Sequence, residues 1–437
     1  MIFRRVLCVL LCLCSVALVA CDSGNGVGAL PILTRVRVIN LIPNAPGMTL
    51  TLDTDAPLVT NLGFQQLTQY LEVQPGTREF KVSVDGGATT LIDSKQTLGT
   101  GTDFTFIAYG PVEAAAAVLE FDTKSPIPNG GTFAFRLIDL AAGVGRIDVY
   151  VTPLGADLSA TAPVIAGATF GGTTVFVSVT SGDFQLRVTP NGTKEVIYDT
   201  GTTVNFGDKT IVQAVAYGKG SGRLVNVAIL NNDDQGTGQV VENRLAEFKL
   251  VNASSVSSPL NVFVDGVLTL ANVPFAGVSN YQKVDAGTRA IAIQASATPG
   301  ANLLTLSPNL SPATDTSIVV SGSAGALQAL VLTDNNLPAA VGHARVRFVN
   351  ASPDLAAMDV YVNFVKLFSA VATNSTSPYA ELSAETTGTT YEFDFNVVGT
   401  TTPVLMMPNS TVVAGKTYTV YVVGPAASLL GVLVGDN

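Results

Sequence analysis

One short phrase occurs four times in this sequence, and it constrains the fold more than any other feature. The phrase reads Arg-Val-Ile-Asn from Arg37, Arg-Leu-Ile-Asp from Arg136, Lys-Leu-Val-Asn from Lys249 and Arg-Phe-Val-Asn from Arg347. Successive copies begin about 100 residues apart. Self-similarity at a fixed period indicates tandem modules of one architecture. We therefore expect four copies of one domain, each opening on this phrase.

The strand that follows each phrase alternates apolar and polar residues. Its apolar positions are Met48, Leu50 and Leu52; Ile147, Val149 and Val151; Leu260, Val262 and Val264; and Met358, Val360 and Val362. A period of two indicates a strand with one buried face. Because the same positions recur in every copy, the four domains should bury equivalent faces.

Roughly seven short strands fit into each copy, with turn signals between them and almost no helical periodicity. This pattern predicts an all-β chain of four tandem antiparallel β-sandwich domains, immunoglobulin-like in shape, at 34–124, 132–236, 243–337 and 343–437. The alanine-rich segment from Glu113 to Leu119 is predicted to be a loop that leads into a strand. Because the linkers are short, we expect a rod of separate sandwiches that bends at Pro126, Pro128 and Pro338.

The N-terminus has the pattern of an export signal. Arg4 and Arg5 precede an apolar stretch from Val6 to Val19, which is too short to span a bilayer comfortably. The stretch ends in Leu18, Val19, Ala20 and Cys21, and this resembles the lipobox of bacterial lipoproteins. The resemblance implies a signal peptide at 1–20 whose peptidase recognises Leu18, Val19 and Ala20, lipid attachment at Cys21 and a lipidated linker at 21–33. The alternative is an ordinary signal peptide followed by a chance cysteine.

Cysteine use and charge fit this compartment. The chain has four cysteines, and only Cys21 would remain after cleavage, so no disulfide is expected inside the mature protein. A net charge of −10 disfavours nucleic acid as a partner. The predicted location is the cell envelope, with the lipid in the outer membrane or in the periplasmic face of the inner membrane.

No catalytic or metal site and no cofactor is predicted. The single histidine, His343, is interpreted as a solvated linker residue because it has no partner of a triad or metal type in the sequence. Asp233 and Asp234 concentrate oxygen ligands at a domain junction, where either a calcium ion or an ordinary polar loop is possible. Aspartates also end the other copies, at Asp122, Asp334 and Asp436.

Smaller polar features are assigned to turns, to a strand surface or to weak binding. Asp85-Gly86, Asn191-Gly192 and Asp265-Gly266 are predicted hairpin turns. Asp354 is interpreted as a turn former and Asp359 as a solvent-facing strand residue. Tyr70 and Tyr281, together with Tyr379, are candidates for stacking on sugars, although packing against the sandwich edge explains their recurrence equally well.

The fourth copy has the features of a known family. Its segments from Val346 to Asp354, from Met358 to Val362 and from Ala414 to Val420 resemble the bacterial family called domain of unknown function 4397. The resemblance implies exported, often lipidated proteins with tandem modules and no assigned catalytic residues. The leading hypothesis is a non-enzymatic envelope scaffold or interaction module that contacts the membrane through its lipid and binds envelope proteins or polysaccharide. The alternatives are a glycan-binding or envelope-polymer-binding lipoprotein and an enzyme that uses carboxylates.

Overall fold

Four β-sandwiches follow one another along the chain in the computed structural model. The structure describes residues 32–436 with the exception of 44, 46, 85–88, 219–223, 257, 324, 337–338 and 341. The predicted lipobox residues Leu18 to Cys21, the Asp85-Gly86 turn and the predicted bend at Pro338 therefore lie outside the described residues. The prediction of tandem all-β sandwiches is confirmed.

The first two sandwiches contain eight and ten strands among the described residues. Sandwich 1 consists of β1 Thr34–Leu41, β2 Met48–Leu52, β3 Pro57–Leu62, β4 Leu71–Val73, β5 Gly76–Val84, β6 Thr89–Leu98, β7 Asp103–Tyr109 and β8 Ala116–Phe121. Sandwich 2 consists of β9 Thr132–Leu140, β10 Ile147–Thr152, β11 Ile165–Ala168, β12 Val177–Thr180, β13 Gly182–Pro190, β14 Tyr198–Asp199, β15 Val204–Phe206, β16 Ile211–Gly218, β17 Val225–Asn231 and β18 Gly238–Val241.

The last two sandwiches contain ten and nine described strands. Sandwich 3 consists of β19 Leu245–Ser254, β20 Leu260–Val264, β21 Val267–Val273, β22 Gln282–Asp285, β23 Gly287–Thr288, β24 Ile291–Ala295, β25 Asn302–Leu306, β26 Asn309–Leu310, β27 Asp315–Ser323 and β28 Ala326–Thr333. Sandwich 4 consists of β29 His343–Asn350, β30 Ala357–Val362, β31 Val365–Ala372, β32 Ser375–Thr376, β33 Ala380–Ser383, β34 Thr389–Val397, β35 Pro403–Val412, β36 Thr417–Val423 and β37 Leu430–Gly435.

Each sandwich has two main sheets, which we call inner and outer. The inner sheet contains the opening strand, in the orders β4-β1-β7-β8, β12-β9-β16-β17-β18, β22-β19-β27-β28 and β32-β29-β36-β37, with β33 also paired to β29. The outer sheet contains the alternating second strand, in the orders β3-β2-β5-β6, β11-β10-β13-β14, β21-β20-β24-β25 and β31-β30-β34-β35. The predicted apolar positions of the second strands are all buried.

The inner sheets correct the prediction of purely antiparallel pairing. Each opening strand pairs in parallel with one later strand of its own inner sheet, so that β1 pairs with β7 and β29 with β36. The same arrangement joins β9 to β16 and β19 to β27. Parallel strands need a crossover rather than a hairpin, and here the strands of the outer sheet supply it.

The sandwiches pack against one another in pairs through their inner sheets. Ile39 and Leu41 of sandwich 1 share one apolar cluster with Ile138, Leu140 and Tyr217 of sandwich 2. A second cluster joins sandwich 3 to sandwich 4 and contains Val251, Ala253, Val319, Leu332, Val349, Ala351, Tyr421 and Val423. The prediction that the sandwiches are separate from one another is therefore wrong within these two pairs. The sandwiches pair because their opening strands carry apolar residues on both faces. A strand with this pattern is usually covered on both sides.

Several local predictions can be compared with the structure directly. The segment from Glu113 to Leu119 begins in a short 3-10 turn, Val112–Ala114, and then enters β8, as predicted. His343 is a half-buried first residue of β29 rather than a linker residue. Asp359 lies on the outer face of β30 but is only 2% exposed, because Lys366 covers it with an ion pair of 2.6 Å. Strand β18 forms in the segment between sandwiches 2 and 3 that was predicted to be a linker.

Turn chemistry follows the sequence in part. Asp265 and Gly266 form a two-residue turn between β20 and β21, with φ of 50° and 84°, as predicted. Asn191 and Gly192 instead begin a longer loop between β13 and β14, and both donate hydrogen bonds to Asp148. Asp354 accepts hydrogen bonds from Ser352 and from the backbone of Ala426.

Candidate functional site: the ion pairs between paired sandwiches

The basic residue of the opening phrase lies on the face of its strand that meets the other sandwich. In β1, Val36 and Val38 point into the core of sandwich 1, so Arg37 points the other way, together with Ile39. Strand alternation gives Arg136, Lys249 and Arg347 the same orientation. The repeated cation is therefore a pairing residue.

Sandwiches 3 and 4 exchange their charged residues reciprocally. Lys249 of sandwich 3 forms a buried ion pair with Asp436 at the end of sandwich 4. Arg347 of sandwich 4 forms the corresponding pair with Asp334 at the end of sandwich 3. The four side chains are between 0% and 3% exposed. The interface therefore resembles a two-fold symmetric, isologous contact, because each sandwich contributes one cation and one aspartate.

Each of the two aspartates also accepts a hydrogen bond from a hydroxyl group. Thr419 donates to Asp436 Oδ2 at 2.6 Å, and Ser317 donates to Asp334 Oδ2 at 2.8 Å. Each hydroxyl residue stands on the strand parallel to an opening strand, with Thr419 in register with Arg347 and Ser317 in register with Lys249. Buried carboxylates are tolerated only with such partners, because burial removes their water.

Sandwiches 1 and 2 use a modified form of the same contact. Arg37 pairs with Asp122 of its own sandwich at 3.3 Å and donates to the carbonyls of Asn231 and Thr237 across the interface. Arg136 of sandwich 2 pairs with Glu120 of sandwich 1 at 3.2 Å. In both pairs of sandwiches, the cation of each opening strand therefore lies at the interface, but its acidic partner differs.

One residue explains the difference. In each sandwich, the residue after the strand that pairs antiparallel with β7, β16, β27 or β36 donates its backbone N–H to the first residue of that strand. These donors are Asp122, Asn232, Asp334 and Asp436. The structural counterpart in sandwich 2 is thus Asn232, not the predicted Asp233. Because an amide replaces the carboxylate there, Arg37 finds no negative partner in sandwich 2.

The candidate tyrosines lie over these cations. Tyr281 covers Lys249 Nζ at 4.7 Å from its ring centroid, and its hydroxyl donates to Asp334. Tyr70 covers Arg37 at 5.3 Å and donates to Asp122 at 2.8 Å. Tyr379 stacks over Arg347 at 4.9 Å. Cation–π contact and a charge-assisted hydrogen bond give these residues a structural role.

The aromatic residue that covers the fourth cation was not identified from the sequence. Phe176 covers Arg136 at 4.7 Å and has no hydroxyl, so it does not match the pattern of tyrosines. The usable signal was its position before a strand that pairs with the opening strand, β12 with β9, as β4 pairs with β1. Sugar binding by Tyr70 and Tyr281 remains a prediction.

Burial shifts the titration of these groups. It raises the pKa of Asp436, with Asp334 adding to the effect and Lys249 opposing it. It also raises the pKa of Tyr281 and Tyr70, and the pKa of Tyr379 to about 12. Burial acts to lower the pKa of Arg347, but Asp334, Tyr379, Tyr421 and Asp436 together outweigh it and the pKa is raised.

A cleft of about 490 Å³ opens beside Lys249 at the junction of sandwiches 2, 3 and 4. Glu247 and Asp315 line it and stand in register on β19 and β27. In sandwich 1 the corresponding positions are Arg35 and Asp103, an ion pair of 2.6 Å. Burial raises the pKa of Asp315 to about 6. The cleft therefore places an unusually basic carboxylate near a buried amine.

Asp233 and Asp234, for which either a calcium ion or a polar loop was possible, make the contacts of a polar loop. Asp233 accepts hydrogen bonds from the backbone of Gln235 and Thr237, which is the geometry of a turn. Asp234 is exposed and pairs with Lys124 at 3.1 Å. In the part of the chain that the structure describes, no group of three or more His, Cys, Asp or Glu side chains is arranged to hold a metal ion. Within the same residues, no helix is long and apolar enough to span a bilayer.

Comparisons with known proteins identify the modules. The family model described as Domain of unknown function (DUF4397) matches residues 34–150, 246–359 and 344–437. No curated protein matches the chain.

Three solved structures show low similarity. A streptococcal virulence factor described for α-glucan binding is 12% identical, with 43% of this chain and 95% of that chain covered and a TM-score of 0.16. Family 41 carbohydrate-binding modules from streptococcal virulence factors are 11% identical, with 44% and 96% covered and a TM-score of 0.15. The Bacillus anthracis TIE protein is 10% identical, with 87% and 69% covered and a TM-score of 0.17. These TM-scores are too low to support an argument.

Proposed function

The chain belongs to the family of Domain of unknown function (DUF4397), and we propose that it is a non-enzymatic, lipid-anchored protein of the bacterial cell envelope that acts as a scaffold or interaction module. Its lipid would be attached at Cys21, and its sandwiches would hold envelope proteins or polysaccharide at a fixed place near the membrane. Nucleic acid is not a partner in this proposal.

The reciprocal packing of the sandwiches is the observation that supports a scaffold. Domains joined by flexible linkers move independently unless a large apolar interface holds them. Here each pair shares an apolar cluster, and sandwiches 3 and 4 add two buried ion pairs across their interface. Such a pair presents its outer sheets in a fixed orientation, which is what a scaffold requires of its binding surfaces.

Anchoring is tested first. Cells that express the full chain should incorporate labelled palmitate into it, and the protein should sediment with membranes. The Cys21→Ser chain should be exported, remain unlabelled and appear in the soluble fraction. Label that persists in the Cys21→Ser chain would overturn the assignment of the lipid to this residue.

The scaffold role is tested by complementation in cells that lack the protein. The wild-type chain should restore detergent resistance of the envelope, and Arg347→Ala should not, because it opens the interface between sandwiches 3 and 4. Arg289→Ala is the matched control, since it breaks a partly exposed ion pair with Asp265 and leaves the interface intact. Full complementation by Arg347→Ala would show that the fixed arrangement of sandwiches is not what the cell uses.

Glycan or envelope-polymer binding is the second candidate function, and one observation on the outer sheet of sandwich 4 favours it. Tyr361 and Met406 stand on either side of Asp394, in register. Asp394 Oδ1 and Asn396 Oδ1 are buried and accept no hydrogen bond from any described residue. Sugar hydroxyls are donors that would satisfy such oxygens once the side chains that cover them move aside, and the Tyr361 ring is a stacking surface.

A glycan array tests this second function. Saturable binding that Tyr361→Ala abolishes and Tyr281→Phe leaves unchanged would support it, because Tyr281 belongs to the pairing interface. Absence of saturable binding to any glycan would reject it. Binding that only Tyr281→Phe abolishes would return the site to the tyrosine predicted from the sequence.

A further inference from the structure

Lys249 is the only lysine among the four pairing cations, since the corresponding residues are Arg37, Arg136 and Arg347. We propose that Lys249 and Asp436 condense to form an isopeptide bond that joins sandwich 3 covalently to sandwich 4. The proposal goes beyond the scaffold function and does not depend on lipid anchoring. It assigns a self-modification site to a pair of residues that lie far apart in sequence.

The reacting groups are already in contact. Lys249 Nζ lies against Asp436 Oδ1, and the two side chains are 2% and 0% exposed. Thr419 donates a hydrogen bond to the other oxygen, Oδ2, at 2.6 Å and so fixes the orientation of the carboxyl group. Tyr281 covers the amine from one side. Preorganised contact of this kind replaces a collision in solution and gives a very high effective concentration.

Atoms and charges balance without another reactant. An ammonium and a carboxylate enter the reaction, a bond forms between Nζ and Cγ, and the bond between Cγ and one carboxyl oxygen breaks. One of the three Nζ protons remains on the amide, and the other two leave with the oxygen as water. The Thr419 hydroxyl is placed to stabilise the negative charge that develops on Oδ2 during attack.

A proton carrier stands in the adjoining cleft. The amine must lose a proton before it attacks, and the departing oxygen must gain one. Asp315 lines the same cleft as Lys249 and Asp436. Because burial raises the pKa of Asp315 to about 6, its carboxylate can both accept and return a proton near neutral pH.

The environment favours the product over the ion pair. Keeping two charges out of water costs free energy, and condensation removes both charges while the water formed escapes to the solvent. The symmetry-related pair of Arg347 and Asp334 provides the internal comparison. A guanidinium remains protonated in proteins and is not a nucleophile, so that pair stays ionic.

Tryptic digestion of the purified, folded full chain tests the proposal. Trypsin does not cleave after an acylated lysine, so the wild-type chain should yield a branched peptide of residues 245–283 joined to 417–437, lighter than the two parts by one water. A dehydrated aspartate in a linear peptide would show the same mass loss without the branch. Separate linear peptides 245–249, 250–283 and 417–437 from the wild-type chain would overturn the proposal.

Lys249→Arg is the matched variant, because it installs the residue that the other three sandwiches have and retains the ion pair. It should fold, be cleaved after position 249 and give only linear peptides. A branch that persists in this variant would exclude Lys249 as the nucleophile. The wild-type digest decides the question even if the variant does not fold.

Discussion

Arg347 on the opening strand of sandwich 4 forms a buried ion pair with Asp334 at the end of sandwich 3. Removal of the cation leaves a carboxylate buried beside Ser317 and Tyr281 with no opposite charge. We expect Arg347→Ala to destabilise the pair of sandwiches by about 3–5 kcal/mol. Hydrogen exchange of the full chain, read on peptides from β27 to β29, measures this.

Arg289→Ala is the control, because it shows what the loss of a partly exposed ion pair costs. It removes an ion pair at 3.1 Å whose side chains are 26% and 47% exposed, and it should cost less than about 1 kcal/mol. Replacing both partners, Arg347→Met with Asp334→Leu, should recover much of the loss because no charge is left buried. Equal costs for Arg347→Ala and Arg289→Ala would contradict the assignment of a buried pair.

Asp139 is the one acid at the last position of the opening phrase, and we expect Asp139→Asn to stabilise sandwich 2. The counterparts Asn40, Asn252 and Asn350 each donate from Nδ2 to a backbone carbonyl. Among the described residues, Asp139 Oδ2 has no hydrogen-bond partner, and burial raises its pKa from 3.8 to about 6.

The effect of Asp139→Asn should depend on pH. The folded state binds the Asp139 proton more tightly than the unfolded state, so this contribution is complete below about pH 4 and is lost as pH rises through 6. The gain from Asp139→Asn should therefore be about 1–2 kcal/mol at pH 7 and smaller at pH 4. Thermal midpoints of the two chains across this range measure it, and a gain independent of pH would refute the titration.

The hydroxyl of Tyr281 should stabilise the interface and leave ligand binding unaffected. It donates to Asp334 and accepts from Asn336 Nδ2 at 3.1 Å. Tyr281→Phe keeps the ring over Lys249, as Phe176 covers Arg136 in sandwich 2. We expect a loss of about 1–2 kcal/mol in denaturant titration, and an unchanged midpoint would mean that the hydroxyl is not used.

Phe364 occupies a strained turn position, and Phe364→Gly should stabilise sandwich 4. Its φ is 68°, and its side chain is 72% exposed, so little packing would be lost. Gly266 holds the same turn position in sandwich 3 with φ of 84°. A left-handed conformation costs a non-glycine residue about 1 kcal/mol, which sets the expected gain. The reverse change, Gly266→Phe, should lower the thermal midpoint, and no change in either variant would argue against strain.

Much of the fold could be predicted because its signals are local. The period of two in the second strands marked their buried faces, and all twelve apolar positions named there are in the cores. The pairing could not be predicted, because it depends on what lies opposite Ile39 and Leu41, and a strand sequence does not say which surface covers its second face. Asp334 and Asp436 were recognised as recurrent, but their partners lie in another sandwich.

By itself, the sequence determined four copies of one β-sandwich, the position of each opening strand and the family, because repetition and alternation are properties of neighbouring residues. Only the tertiary structure decided that sandwiches pair through their inner sheets, that Tyr281 covers Lys249 and that Lys249 meets Asp436. Those contacts join residues from different copies. Their formation depends on burial of charge and apolar surface between whole sheets, which no local pattern encodes.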